Sequence, residues 1–193
     1  MFVSWSVRVL IAGGGGGGVL DRHYGLRAKE VTEGSVRTAA QLNAKMAGII
    51  RNAADFKLAF RSHRVSKNNL ARYYLRALEL YEQKDPVPEP RGILEDTLVF
   101  NLEHVMPQAP SDAWDVTEET AQAYGRRLGN TVLLNPNVNV KIGNKSFAEK
   151  KLIYAASPLI LTQEVAEYDD SGPVQIDQRQ DKLANLAAKI WAI

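Results

Sequence analysis

Two short stretches of this chain read as β-strands, and the rest reads as helices, turns and connectors. In TLVFNLEHV, residues 97–105, Leu98, Phe100 and Leu102 alternate with Val99 and Asn101, the period-two pattern of a half-buried strand. NTVLL, residues 130–134, is a second and shorter β-rich run. The expected fold class is α+β, mostly α: a helical lead-in, a ββα core and C-terminal helices.

The clearest helix is SKNNLARYYLRALELYEQ, residues 66–83. Ser66 is its candidate cap, and Leu70, Tyr73 or Tyr74, Ala77, Leu78 and Tyr81 form its apolar stripe. Arg72 and Arg76 lie one turn apart on a neighbouring face, as a solvated edge or as phosphate contacts. Residues 35–51, with Ser35 as cap, and 55–62 are further helical candidates. So are 116–129, capped by Thr117 and stopped by Gly129, and 146–157. In the last of these Ser146 and Glu149 form a capping box. The tail gives helical pieces at about 162–168 and 176–192, with Pro173 between them.

Three stretches read as breaks. Gly13–Gly18 disfavours helix and strand through backbone entropy and reads as a flexible connector. KDPVPEPRG, residues 84–92, carries three prolines and ends the preceding helix. NPNVNVKIGN, residues 135–144, has turn composition. The expected division is a lead-in over 1–96, with its connector at 13–18, and a core with closing helices over 97–193.

Composition narrows the chemistry. The chain has 193 residues, 45% of them apolar, and a net charge of +2 that fixes no partner. It has no cysteine, which excludes disulfides and thiolate-held zinc or iron–sulfur groups. The only histidines are His23, His63 and His104, too few for an easy multi-histidine zinc site. The apolar opening MFVSWSVRVLIA is shorter than the ~20 residues of a membrane span and is interrupted by Arg8. It reads as the last turns of a helix.

Residues 97–151 carry the candidate site. A ββα unit would bring together Glu103 and His104 on the first strand, Asn130 at the start of the second, and Asn139 near the following helix. Those residue types suit phosphodiester hydrolysis. A neutral imidazole takes a proton from water. A hard divalent cation prefers oxygen donors such as Glu and Asn, and stabilises charge on the phosphate. An Asn side chain can orient the imidazole. The plain alternatives are a surface or core role for His104, and turn roles for Asn130 and Asn139. His63, within RSHRVSK, reads as part of a solvated basic turn.

LEHVMPQ, LGNTVLL and NVKIGNKSFAEKK together resemble the HNH branch of the His-Me finger nucleases. More closely, they resemble the C-terminal domain of the GmrSD-type, modification-dependent (type IV) restriction endonucleases. ARYYLRALE and DRHYGLRAK resemble that domain's helical lead-in, and DQRQDKLANLAAKIWAI its closing helix, so the resemblance covers nearly the whole chain. It implies that His104 is the general base, that Asn130 orients it, and that Glu103 and Asn139 hold the metal. Asn144, Phe147 and Lys150 match a family-typical string, Phe147 as core and Lys150 as a phosphate contact or a surface residue. Two departures stand out: Glu103 replaces the usual Asp, and Thr131 stands where Leu is commoner.

The resemblance further implies an HNH-type, metal-dependent DNA endonuclease using Mg2+ or Mn2+, working in the cytoplasm in defence against foreign or modified DNA. It implies DNA as partner and no membrane, with Arg126, Arg127, Lys145 and Lys150 contacting nucleic acid. In that family an N-terminal NTPase-like domain commonly precedes this one. The abrupt apolar start and the missing phosphate loop suggest a fragment or a stand-alone remnant. A rival reading is a nucleic-acid-binding domain that keeps the fold without catalysis, using Arg72, Arg76, Lys141 and Lys151 besides the cations above. A third is a helical scaffold with no nucleic-acid role.

Overall fold

The computed structural model describes residues 1–13, 17–84, 100–111 and 113–193. The proline-rich boundary beyond residue 84, residues 97–99 of the expected strand and Gly14–Gly16 lie outside the described residues. The chain forms two compact units, Met1–Arg61 with Ala187–Ile193, and Ser62–Leu186. No described helix is long and apolar enough to cross a membrane.

The first unit contains α1 (Phe2–Ala12), α2 (Gly17–Thr32), α3 (Ala39–Met46) and all but the last residue of α4 (Ala53–Ser62). The apolar opening is helical as expected, and Trp5 and Val9 bury its inner face with Leu20, Met46 and Ile50. Arg8 is buried without losing its hydrogen bonds. Its guanidinium donates to the carbonyls of Trp191 at 2.6 Å and Arg51 at 2.8 Å, and lies over the Phe56 ring. The charged stretch after the glycines is helical, and Gly17 and Gly18 already belong to α2. The cap of α3 is Thr38, not Ser35, because Thr38 forms a reciprocal capping box with Gln41. Ser35 donates instead to the Glu30 carbonyl at the end of α2.

The second unit begins with α5 (Asn68–Glu82), which has Lys67 at its N-cap and no side-chain cap, so Ser66 does not fill that role. Its buried face is Ala71, Tyr74, Leu75, Ala77, Leu78 and Glu79. The Glu79 carboxylate accepts from the amides of Ile160 and Leu161 at 2.8 and 2.9 Å. It thereby caps α9 (Ile160–Gln163), where a carboxylate also meets the positive end of the helix dipole. Arg72 and Arg76 are half-buried, and Arg76 stacks over Phe100 at 4.8 Å.

Strand β1 (Asn101–His104) pairs antiparallel with β2 (Thr131–Leu134), and these two form the sheet among the described residues. Between them lies α6 (Glu118–Tyr124), capped by Thr117 as expected. Gly125, not Gly129, ends α6. Gly129 serves a close approach: a Cβ there would press on the Ile176 carbonyl and on Gln180. Both belong to α10 (Pro173–Ile190), whose last residues lie in the first unit. Pro173 opens α10, where its missing N–H is unneeded.

The turn-rich stretch after β2 is a helix, α7 (Pro136–Ile142). Asn135 caps it and Pro136 occupies its first position, so the Asn and Pro of the sequence start a helix rather than a loop. Gly143, at φ +47°, ends it, a backbone conformation that favours glycine. Then α8 (Phe147–Ala155) follows with the expected Ser146–Glu149 capping box. Phe147 and Tyr154 of α8 pack with Val105, Met106, Trp114, Val132 and Leu134 to form the core of this unit.

Two glycine substitutions test this account by urea unfolding. Gly129→Ala is expected to lower stability by about 1–3 kcal/mol through overpacking. Gly25→Ala, in α2 with open space around its added methyl, is expected to raise it by about 0.5–1 kcal/mol.

Candidate active site

The register of the two strands places every candidate residue. Asn101, Leu102, Glu103 and His104 stand opposite Leu134, Leu133, Val132 and Thr131. One step further the Val105 amide donates to the Asn130 carbonyl at 2.9 Å. Bonded and non-bonded pairs alternate in an antiparallel ladder. The pairs 103/132 and 101/134 therefore share ladder bonds, while 102/133 and 104/131 turn their backbone groups outward. Successive side chains point to opposite faces of a strand, so Glu103 and His104 part company: His104 joins Leu102 and Thr131 on one face, and Glu103 joins Val132 on the other.

On its face, half-buried His104 lines a cavity of about 180 Å³ with Ser66, Asn68, Gln108, Arg126 and Thr131. A second cavity, of about 400 Å³, shares Gln108 and Arg126. Arg126 is held there by the backbone, because the Val65 amide donates to its carbonyl at 2.8 Å. The imidazole Nε2 lies 3.0 Å from the Gln108 amide nitrogen. Burial lowers the pKa of His104, and the Lys150 charge lowers it further, which keeps the ring neutral at pH 7 as a general base requires. His63 is half-buried rather than fully solvated, and burial lowers its pKa as well.

Asn130 is fully buried and clamps the chain just past His104. Its Oδ1 accepts from the Met106 amide at 2.8 Å and its Nδ2 donates to the Met106 carbonyl at 2.9 Å. This side chain thus continues the strand pairing by one residue. Asn139, on α7, donates through Nδ2 to the Leu102 carbonyl at 3.2 Å. Its Oδ1 is buried with no hydrogen-bond partner.

On the other face Glu103 is buried, and its Oε1 accepts from Lys150 Nζ at 2.6 Å and from the Tyr154 hydroxyl at 3.4 Å. Lys150 Nζ also donates to the His104 carbonyl at 2.9 Å. It is 1% exposed, so Lys150 is an internal partner of Glu103 rather than a surface cation. Burial raises the Glu103 pKa and lowers that of Lys150, while their mutual attraction opposes both shifts. Of the other expected nucleic-acid contacts, Arg126 is exposed, and Arg127 pairs with Asp177 at 2.7 Å and stacks on Tyr124. Lys145 is exposed beside Glu149 at 3.3 Å.

Residues 50–186 match the family described as GmrSD restriction endonucleases, C-terminal domain. The chain belongs to that family. The match takes in α5, both strands and the helices that surround them. No curated protein matches the chain. The family name carries a nuclease role in defence.

The residues of this GmrSD C-terminal domain do not, as folded, fit a divalent ion at Glu103. Its carboxylate already holds an ammonium. The unpartnered Asn139 Oδ1 is a suitable hard donor, but one amide oxygen without a free carboxylate is a poor site. Among the described residues no three His, Asp or Glu side chains gather in one place.

Sequence reasoning gave no role to Gln108, although it lies in the LEHVMPQ string. It also missed the phase of α8. Phe147, Lys150 and Tyr154 recur at three- and four-residue steps after the Ser146 cap, which puts Lys150 on the buried face.

Two measurements test the site. Asn130→Ala strands two buried backbone groups and is expected to lower stability by about 3 kcal/mol in urea unfolding. A His104 pKa below the ordinary 6.5 means that, once pH falls below that value, the folded chain binds fewer protons at this ring than the unfolded chain does. His104 therefore lowers stability progressively as pH falls from 6.5 through its folded pKa. An NMR titration of its ring is expected to show a midpoint under 6.5.

Proposed function

We propose that this chain is a DNA endonuclease domain of a restriction system directed at foreign or modified DNA, hydrolysing phosphodiester bonds with His104 as general base. The observation that carries the reading is the half-buried imidazole of His104 lining a polar cavity with Arg126, within a chain of the GmrSD C-terminal family. A phosphate seated against Arg126 places the reacting group next to the ring. His104 takes the proton of the attacking water as the water oxygen bonds to phosphorus. The bond to the leaving sugar oxygen breaks, and that oxygen takes a proton from solvent. Arg126 offsets the charge that develops on the phosphate oxygens. Asn130 keeps the strand end and its following turn in place, so that the ring stays aimed at the cavity. Exposed Arg126 and Lys145 meet the DNA backbone, with Arg127 braced by Asp177. Membership of the HNH branch and work in the cytoplasm belong to the same proposal, by resemblance; the dependence on Mg2+ or Mn2+ that the resemblance also implies would have to be met by an ion held away from Glu103, whose carboxylate is occupied by Lys150.

The rival reading, nucleic-acid binding without catalysis, draws on one observation: an ammonium already occupies the carboxylate expected to hold the metal. Supercoiled plasmid DNA incubated with Mg2+ or Mn2+ separates the two. The wild type is expected to nick and linearise it, and His104→Ala to be slower by about 10²–10⁴-fold. No cleavage by the wild type, or equal cleavage by both proteins, would sink the catalytic reading. Salt-dependent DNA binding without cleavage would establish the rival.

A further inference from the structure

We propose that Lys150 is a positioning residue of this site: its buried ammonium, held between the Glu103 carboxylate and the His104 carbonyl, is the resident cation that fixes the strand end carrying the base. Glu103 then serves Lys150 rather than a divalent ion. The inference rests on the reading of His104 as the general base.

The ammonium donates to Glu103 Oε1 at 2.6 Å and to the His104 carbonyl at 2.9 Å. It also lies over the Trp114 ring, whose centroid is 5.7 Å from Nζ, within range of a cation–π interaction. Tyr154 donates to the same carboxylate oxygen. Both charged groups are almost wholly enclosed, and burying two charges is tolerated only when the pair is close and its remaining hydrogen bonds are met.

Helix geometry holds the pair in register. The Ser146–Glu149 capping box fixes where α8 begins, and Lys150 follows one turn later on the face of Phe147 and Tyr154. The next residue points elsewhere, since Lys151 Nζ donates to the Tyr168 carbonyl at 2.8 Å. The arrangement explains a glutamate beside the histidine on grounds other than metal binding, because it bridges the strand to α8. It also predicts how removal is felt: the His104 carbonyl loses its donor, the strand end shifts, and the imidazole leaves its aim. A misplacement of about 1 Å at a catalytic group can cost ~10²-fold in rate.

The test uses the whole chain, with Mg2+ and Mn2+ as probes. In the wild type, the NMR signal of the Glu103 carboxylate carbon is expected to keep its chemical shift on adding Mg2+. Calorimetric Mn2+ affinity is expected to be the same in Glu103→Gln as in the wild type. Lys150→Met is expected to cleave DNA about 10²-fold more slowly through kcat, with KM for DNA unchanged. Lys150→Gln, which keeps an N–H for the carbonyl, is expected to recover part of that loss. A shift of the Glu103 carboxylate signal on adding Mg2+ to the wild type, or a tenfold weaker Mn2+ affinity in Glu103→Gln, would overturn the proposal in favour of a metal at Glu103. The wild-type shift measurement needs no variant to fold. An inactive wild type would instead defeat the nuclease reading, and the metal measurements on Glu103 would still be decided.

Discussion

The ladder between β1 and β2 leaves four carbonyls pointing outward, those of Leu102, His104, Thr131 and Leu133, and each takes a hydrogen bond from a side chain. Asn139 donates to Leu102 and Lys150 to His104 on one edge. Arg179 donates to Thr131 at 2.7 Å and Thr162 to Leu133 at 2.9 Å on the other. An isolated pair of strands is marginal in water, and a buried carbonyl left without a donor costs about 1–3 kcal/mol. Helices α7, α8, α9 and α10 supply these donors and cover the ribbon. The placement of the helices follows from that need as much as from apolar burial.

Arg179 shows how far one donor group can reach. Its guanidinium serves the carbonyls of Leu128, Gly129 and Leu161 as well as Thr131. Burial brings its pKa down to about 10, which still leaves it cationic at neutral pH. It ties α10 to the turn before β2, where Gly129 permits the close approach and Asn130 begins its clamp on Met106. The loop that follows His104 is therefore fixed from behind, by a chain of hydrogen bonds running from α10 through residues 128–131 to Met106. Leu128 and Thr131 of that segment line the cavity beside His104, so the same hydrogen bonds hold one of its walls.

The same geometry separates residues that adjoin in sequence. Glu103 and His104 share one strand turn, yet the pleat sends one to the α8 core and the other to the cavity. Asn130 and Asn139 come close to the same strand end, but each is engaged with backbone, one at Met106 and one at Leu102. The four residues expected to share a cleft instead surround the end of β1, each holding or presenting a different part of it.

Much of the local structure was legible because it depends on neighbours in sequence. The Thr117 cap, the Ser146–Glu149 capping box, the two short strands and the mostly helical class all follow from residue type and period. The LEHVMPQ and LGNTVLL strings carried the family. Where the reading failed, a stronger local partner won: Thr38 with Gln41 over Ser35, and Asn135 with Pro136, which start α7 where turn composition suggested a loop. Gly129 looked like a helix stop because its real partner, α10, is remote in sequence. By itself the sequence determined which side chains could do chemistry and the order in which they arrive. Only the tertiary structure decided which face each one took and which charge it met. Those outcomes depend on strand register and on the phase of helices packed from far along the chain, and so a lysine that read as a surface cation became the buried partner of Glu103.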